Sequence, residues 1–206
     1  MKKIMISTFV LVAVVLMQEK VSAQENPAPE TLFSGNKNIN TENIGFIVAP
    51  AYAFTQMDGA GVSLFHLRGG ITLGEKLAVG GFFNTSINDI NPQSETLPDI
   101  YMDYRSVGGF LEYTLLSKKL FHLTFPLYIG GGEVQMDNES GDAGLGESNF
   151  FLLEPSALLE INLHQYVRFN IGGGYRIVGE MDYRNFDQST ISGLTGYAGL
   201  KFGLFR

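Results

Sequence analysis

The last segment of the chain, Leu194–Phe205, reads LTGYAGLKFGLF and decides the fold. Its even positions are mostly apolar, whereas its odd positions mix glycine, polar residues and a charge. Side chains alternate between two faces along a strand, so this pattern predicts a β-strand with one apolar face. The even face consists of Leu194, Gly196, Ala198, Leu200, Phe202 and Leu204.

The same two-residue period recurs in seven earlier segments, from residue 43 onward. In the second segment, for example, Phe65, Leu67 and Ile71 share a face opposite His66 and Arg68. Each segment has about 10–12 residues, which is close to the length of a tilted membrane strand. The sequence therefore predicts an all-β chain, an eight-stranded antiparallel up-and-down transmembrane β-barrel over residues 43–206.

The connectors between these segments differ in length in an ordered way. The second, fourth and sixth connectors are short, and the third, fifth and seventh are long; the first is also short. We call the end of the predicted barrel with the second, fourth and sixth connectors the turn end. The opposite end, with the first connector and the three long ones, is the loop end. Outer-membrane barrels show this asymmetry, with short periplasmic turns and longer outer loops. The short connectors are 74–76, 117–119 and 164–166, the long ones are 88–101, 136–148 and 179–192, and the first is 57–60.

The apolar faces predict which side of the barrel meets lipid. The less apolar face is built from Gly, Ala, Ser, Thr, Asn and a few charges, which suit a narrow lumen better than a solvated surface. The bulky apolar face suits hydrocarbon. A soluble secreted barrel that binds a lipid is the alternative, and it would require the two faces to be exchanged.

The alternating segments, the loop asymmetry and the aromatic end Phe202–Arg206 together resemble the small eight-stranded outer-membrane β-barrel family. The resemblance covers about residues 43–206. It implies an outer-membrane protein whose partner is outer-membrane lipid, and we expect a monomer. Pro50, Pro126 and Pro155 depart from the pattern, because proline removes a ladder hydrogen bond. We expect β-bulges at these prolines.

The beginning of the chain predicts export. Lys2 and Lys3 precede an apolar stretch, and small residues lie before Gln24, as in a secretory signal peptide over residues 1–23. Residues 24–42 are polar and rich in Pro and Asn, and we expect a flexible periplasmic segment there. Localisation in the outer membrane after signal-dependent export follows from these features.

Charged side chains on the inward faces predict a polar network inside the barrel. An eight-stranded barrel is just wide enough for side chains to fill it, and buried charges must pair. Matching Leu163 with Val167 would set Glu154 opposite Arg176 and Glu160 opposite Asn170, with Arg168 diagonal to Glu160. The predicted lumen network consists of His66, Arg68, Glu112, His122, Glu154, Glu160, Arg168, Arg176 and Lys201.

Composition excludes several kinds of chemistry. The chain has no Cys, which excludes thiol catalysis and cysteine-ligated metals. Its formal net charge of −7 argues against a nucleic-acid partner. We assign no catalytic residue, cofactor or metal site.

The long loops are acidic, and a divalent cation that bridges them to lipid phosphates is an alternative to simple solvation. Tyrosines near strand ends indicate an interfacial girdle, with ordinary strand positions as the alternative: Tyr101, Tyr104, Tyr113, Tyr175 and Tyr183.

The function that we expect is a non-enzymatic structural or surface-interaction role in the cell envelope, with the lumen plugged by the Glu/Arg network. A narrow channel would need an open lumen instead. A lipid-modifying barrel enzyme would need a histidine and a nucleophile that meet at the lipid boundary, and Ser63 and His66 fall on opposite faces. A soluble lipid-binding barrel would need an apolar interior.

Overall fold

A computed structural model describes residues 44–74, 76–95, 100–138, 146–183 and 186–205 of the protein. The predicted signal peptide over 1–23 and the predicted segment over 24–42 lie outside the described residues, and both stay predictions. Within the described residues, no helix is long and apolar enough to cross a membrane.

Eight of the described strands form one closed antiparallel barrel, as the sequence predicts. Each strand pairs with its neighbour in the chain, and the last strand pairs with the first from Ile47–Gly203 to Thr55–Thr195. The all-β, eight-stranded up-and-down fold is therefore confirmed. The barrel strands are β1 (Ile44–Met57), β2 (Ala60–Leu73), β3 (Leu77–Ser86), β4 (Ile100–Leu115), β5 (Phe121–Asn138), β6 (Glu147–His164), β7 (Val167–Val178) and β10 (Gly193–Gly203).

The connectors confirm the two different ends among the described residues. At the loop end, β1 and β2 join through Asp58 and Gly59, which both have positive φ, of 46° and 75°, as a tight two-residue hairpin turn requires. The long connector after β7 carries a small hairpin, β8 (Asp182–Tyr183) and β9 (Phe186–Asp187), and a short helix, α1 (Gln188–Ile191). Strands β5 and β6 have 18 residues each, so part of the predicted loop 136–148 is strand.

Burial follows the alternation. Outward positions of β1 such as Phe46 and Phe54 are more than half exposed, whereas the inward positions Ile47, Ala49 and Ala53 are buried. The outward face of the barrel is consequently a continuous belt of Phe, Leu, Ile, Val and Tyr. Such a belt is stable against hydrocarbon and would be an aggregation surface in water.

The lumen holds larger residues than the sequence pattern predicts. Aromatic side chains face inward from several strands, and three of them lie opposite a glycine on the neighbouring strand. These pairs are Phe82–Gly108, Phe150–Gly132 and Tyr197–Gly172. Gly132 belongs to the glycine run 130–132, and a Cβ at this position would meet the ring of Phe150, so this glycine makes space for an aromatic side chain. Gly172 belongs to the run 172–174, and a Cβ there would meet the backbone of β6, so this glycine allows the two strands to approach closely.

The predicted bulges at the prolines are wrong. The register between β1 and β10 is the same before and after Pro50, and the registers beside Pro126 and Pro155 are also unchanged. Each proline only interrupts the ladder on one side for two residue pairs. Losing a donor removes local hydrogen bonds, but it does not require an extra residue. The register shift lies instead between Asn162 and His164 on β6.

Candidate functional site

The barrel lumen is the candidate functional site, and its turn-end half contains a compact group of buried charges. Each member occupies an inward position on a different strand, from β2 to β10, so that the closure of the barrel brings them together. We call this group the turn-end network: Arg68, Glu112, His122, Glu160, Arg168 and Lys201.

Glu160 lies at the centre of the turn-end network. Its Oε1 is 3.6 Å from Arg68 Nη2 and contacts Lys201 Nζ, while its Oε2 is 3.0 Å from His122 Nε2 and 3.7 Å from Arg168 Nη1. The Glu160 side chain is completely buried. One carboxylate therefore binds side chains from four other strands, which ties separate parts of the barrel wall together across the lumen.

Glu112 is the second carboxylate of the turn-end network. Its Oε1 accepts a hydrogen bond of 2.6 Å from Lys201 Nζ, and its Oε2 is 3.4 Å from Arg68 Nη2. Lys201 and Arg68 thus each bridge both carboxylates. Shared pairing of this kind offsets the desolvation cost of buried charges better than an isolated pair does.

An aromatic layer lies above the turn-end network. The rings of His66, Phe82, Tyr128 and Tyr197 have centroids between 5.1 and 6.4 Å apart. The Tyr128 hydroxyl accepts a hydrogen bond of 2.8 Å from Arg68 Nη1, which links the layer to the charges. These rings fill the middle of the lumen.

The other three predicted network residues bind elsewhere. His66 Nδ1 is 2.5 Å from Asn84 Oδ1. Glu154 accepts a hydrogen bond from the Tyr197 hydroxyl, and Arg176 donates from Nε to the Ile191 carbonyl at 2.9 Å. The sequence predicts an inward position for all three, and the structure has them there. Among the described residues, however, no hydrogen bond or ion pair joins them directly to the turn-end network.

The strand register explains part of this division. Glu160 pairs with Asn170 as predicted, and Arg168 approaches Glu160 diagonally. At the turn itself His164, not Leu163, pairs with Val167, because the shift in β6 absorbs one residue. The predicted match of Leu163 with Val167 is therefore wrong. The register that it implies is nevertheless correct for the rest of the ladder, beyond the turn.

The loop-end half of the lumen is filled by apolar side chains that the sequence analysis missed. Met102 and Met136 lie directly opposite each other on β4 and β5, and the long connectors add Ile90 and Ile191. All members are at most 2% exposed. We call this group the loop-end cluster: Met57, Val62, Leu64, Ile90, Met102, Val134, Met136, Leu152 and Ile191.

Hydrogen bonds around Asp58 hold two connectors over the loop-end cluster. The Asp58 carboxylate accepts from the Ser94 backbone N–H at 2.6 Å and from the Ser94 hydroxyl at 2.8 Å. The Asp58 N–H donates to the Thr190 carbonyl at 2.8 Å. The β1–β2 turn thereby fixes the connector before β4 and helix α1, which carry Ile90 and Ile191.

Two further sequence predictions concern the loop end. Tyr104 is buried and stacks on Phe150 with centroids 5.9 Å apart, so its assignment to the interfacial girdle is wrong; Tyr113 and Tyr175 are exposed. Three acidic residues of the long loops, Asp99, Glu139 and Asp142, lie outside the described residues. Among the residues that are described, no group of three or more His, Asp or Glu side chains is arranged to hold a metal ion.

Comparison with known proteins identifies the fold. No protein-family model and no curated protein matches the sequence. Among solved structures, Neisserial surface protein A matches with a TM-score of 0.56 and 11% identity, over 80% of this chain and 97% of that one. The N-terminal β-barrel domain of Pseudomonas aeruginosa OprF matches with a TM-score of 0.51 and 9% identity, over 77% and 96%. This chain has the fold of these eight-stranded outer-membrane barrels, which confirms the resemblance seen in the sequence.

Proposed function

We propose that the protein is a non-enzymatic outer-membrane barrel with a structural or surface-interaction role in the cell envelope, and that its lumen does not conduct solutes. The observation that carries the proposal is the inverted distribution of side chains. Charged residues such as Glu160 and Lys201 are buried inside, whereas large apolar residues such as Phe46 and Val107 are exposed outside. This distribution is stable only where hydrocarbon surrounds the protein.

Three layers of side chains support a closed lumen. The turn-end network, the aromatic layer and the loop-end cluster follow one another along the barrel axis. A conducting pore needs a continuous path for water, and each layer fills the lumen with different side chains. A narrow channel is therefore the weaker alternative.

The role at the cell surface is inferred from the loop end. In the described part of the long connectors, Asp89, Glu147 and Glu180 are exposed, which gives this end an acidic surface for a partner or for divalent cations. Neisserial surface protein A is by its name a surface protein. We extend only that general role to this chain, as part of the proposal.

The absence of enzymatic activity is also part of the proposal. His66 and His122 are buried and already bound to Asn84 and Glu160, so a lipid substrate has no access to them. His164 lies at the turn end, where its ring packs against Tyr166 at a centroid distance of 5.6 Å. A lipid-modifying enzyme would need a nucleophile beside an accessible histidine.

The first experiment compares boiled and unboiled protein on a denaturing gel after purification in detergent. A closed barrel migrates differently before boiling, and we expect β-rich circular dichroism and precipitation when detergent is removed. A monodisperse protein in detergent-free buffer would contradict the membrane assignment and favour a soluble barrel.

Lipase and acyltransferase assays with phospholipid substrates should give no activity above that of the detergent blank.

A further inference from the structure

We propose that the loop end of the barrel binds a membrane lipid with an uncharged sugar headgroup. The site is a groove of about 650 Å³ on the outer wall, where β1, β10 and helix α1 meet. Its volume falls within the range of about 300–1,000 Å³ that is usual for small-molecule sites. We call it the seam groove, and its lining includes Phe54, Gln56, Asp58, Ser189, Leu194 and Gly196. The inference rests on the proposed placement of the barrel in the outer membrane.

The seam groove exists because the first and last strands of the barrel part at the loop end. The ladder between β1 and β10 reaches Thr55–Thr195, whereas β1 continues to Met57. On the outward face just below this point, Gly196 leaves open space, since a Cβ built there would find its nearest contact 3.9 Å away. The next outward residue, Leu194, is 75% exposed. The groove therefore opens toward the surroundings of the barrel and not toward the lumen.

A second groove continues the seam groove toward the middle of the membrane. On the same two strands, Tyr52 pairs with Ala198 directly below the pair Phe54–Gly196. The second groove, of about 330 Å³, lies around Tyr52 and Ala198, and none of the residues that line it is charged. An acyl chain fits this lower groove, which belongs to the apolar belt. The seam groove above it then receives the headgroup of the same molecule.

The polar groups of the seam groove mostly accept hydrogen bonds. The Ser189 hydroxyl donates to Asp187 Oδ1 at 2.6 Å, and the Thr190 hydroxyl donates to the Asp187 carbonyl at 2.7 Å. A hydroxyl has one hydrogen to donate, so both of these groups can only accept from a ligand. The Asp58 carboxylate is an acceptor as well. A headgroup that fits this groove must supply donors, as the hydroxyl groups of a sugar do.

Gln56 is the polar side chain that can adapt to such a headgroup. It is exposed on the outward face of β1, and it makes no side-chain hydrogen bond to another described residue. An amide both donates and accepts, so Gln56 can pair with a sugar hydroxyl in either direction.

The charge of the lining disfavours a phosphate headgroup. Among the described residues that line the seam groove, Asp58 alone is charged. Arg176 lies beneath the floor and does not line the groove, because its buried guanidinium donates to the Ile191 carbonyl at 2.9 Å and to the Thr55 hydroxyl at 3.1 Å. A phosphodiester carries a negative charge and has no hydrogen to donate, so it would repel Asp58 and leave the acceptors unpaired. A neutral sugar avoids both costs.

The test uses the folded, heat-modifiable protein in phosphatidylcholine nanodiscs that contain monogalactosyl diacylglycerol. The amide NMR shift of Gly193, which lines the groove, is followed as the galactolipid fraction rises, and native mass spectrometry counts the galactolipids retained. We expect a saturable shift and a retained galactolipid. Phosphatidylglycerol and phosphatidylethanolamine with the same acyl chains should not displace it at an equal mole fraction.

Three variants separate the seam groove from the rest of the wall. Gly196→Leu fills the groove at a position where leucine can face lipid, so it should abolish the saturable shift while the barrel stays heat-modifiable. Gly81→Leu is the matched control: this exposed glycine lies on β3, where an added Cβ would make only an ordinary contact at 3.5 Å, and the variant should bind like wild type. Gln56→Leu should bind about 2- to 10-fold more weakly, the usual effect of one lost hydrogen bond.

Four outcomes would overturn the site. Absence of a saturable shift in the wild type would do so, and heat modifiability of the same sample would show that the membrane barrel itself still stands. Undiminished binding by Gly196→Leu would place the galactolipid elsewhere. Equal displacement by phosphatidylglycerol would mean that the wall binds the acyl chain without reading the headgroup. Displacement by phosphatidylethanolamine alone would assign the groove to an ammonium group in place of a sugar.

Discussion

The two halves of the lumen are filled by different chemistry and by different parts of the chain. The turn-end network uses charged side chains that all come from strands, whereas the loop-end cluster uses apolar side chains from strands and from the connectors that fold over them. A network of paired charges depends on every partner, because one missing charge leaves others unpaired. An apolar cluster depends on volume, and its connectors can adjust when one side chain is lost.

The largest effect is expected from Glu160→Gln, which removes the central charge of the turn-end network. Arg68 and Lys201 would lose one of the two carboxylates that they bridge and keep Glu112, and breaking a buried ion pair costs about 3–5 kcal/mol. The measurement is urea unfolding in phospholipid vesicles, followed by circular dichroism. Glu180→Gln, at an exposed position, is the control. A loss below about 1 kcal/mol, the value of a surface ion pair, would show that the network does not hold the turn-end half together.

A smaller loss is expected at the loop end from Met57→Ala. This completely buried side chain fills the lumen beside the connectors, and we expect a loss of about 2–3 kcal/mol of unfolding free energy, the lower part of the usual range for such truncations. Met57→Leu conserves volume and should cost less than about 1.5 kcal/mol. Equal losses for the two variants would mean that packing volume does not stabilise this half.

Asp58→Ala tests how the connectors are held over the loop-end cluster. The change removes two hydrogen bonds to Ser94 and places alanine at a φ of 46°, so we expect a loss of about 1–2 kcal/mol. Asp58→Asn tolerates this backbone conformation and should lose less. Hydrogen exchange of the Ser94 amide is the local measurement. Unchanged exchange in Asp58→Ala would contradict the role of this turn.

The smallest effect concerns Asp187, the N-cap of helix α1. Hydrogen bonds from the Ser189 hydroxyl and from the Ser189 and Thr190 N–H groups to its carboxylate lower the pKa of Asp187. A lowered pKa means that the carboxylate stabilises the cap above the ordinary Asp pKa, and that this contribution is lost as pH falls through the lowered value. The amide NMR chemical shifts of Ser189 and Thr190 should therefore change when the protein is acidified. In Asp187→Asn the side chain does not titrate, so the same shifts should show no such change with pH.

The sequence predicted the turn-end half better than the loop-end half for a physical reason. Positions such as Arg68, Glu112 and Lys201 follow the two-residue period of strands, and this period fixes which side of the sheet a residue faces. The period also extends to Met102 and Met136, so the long strands could have revealed part of the loop-end cluster.

Other features depend on contacts that no local pattern contains. Ile90 and Ile191 lie in connectors, where burial depends on how the chain folds back. The register shift between Asn162 and His164 and the pairing of Glu154 with Tyr197 arise from packing across the lumen. The strand register also decides which inward aromatic rings lie opposite a glycine on the neighbouring strand, as Phe82 lies opposite Gly108.

The most direct test of a lumen that is filled in both halves is the conductance of the wild-type protein in planar lipid bilayers. We expect no discrete conductance steps above the bare membrane, because charged, aromatic and apolar layers fill the lumen in succession. Steady, reproducible current steps from folded, heat-modifiable protein would contradict it and would favour a narrow channel.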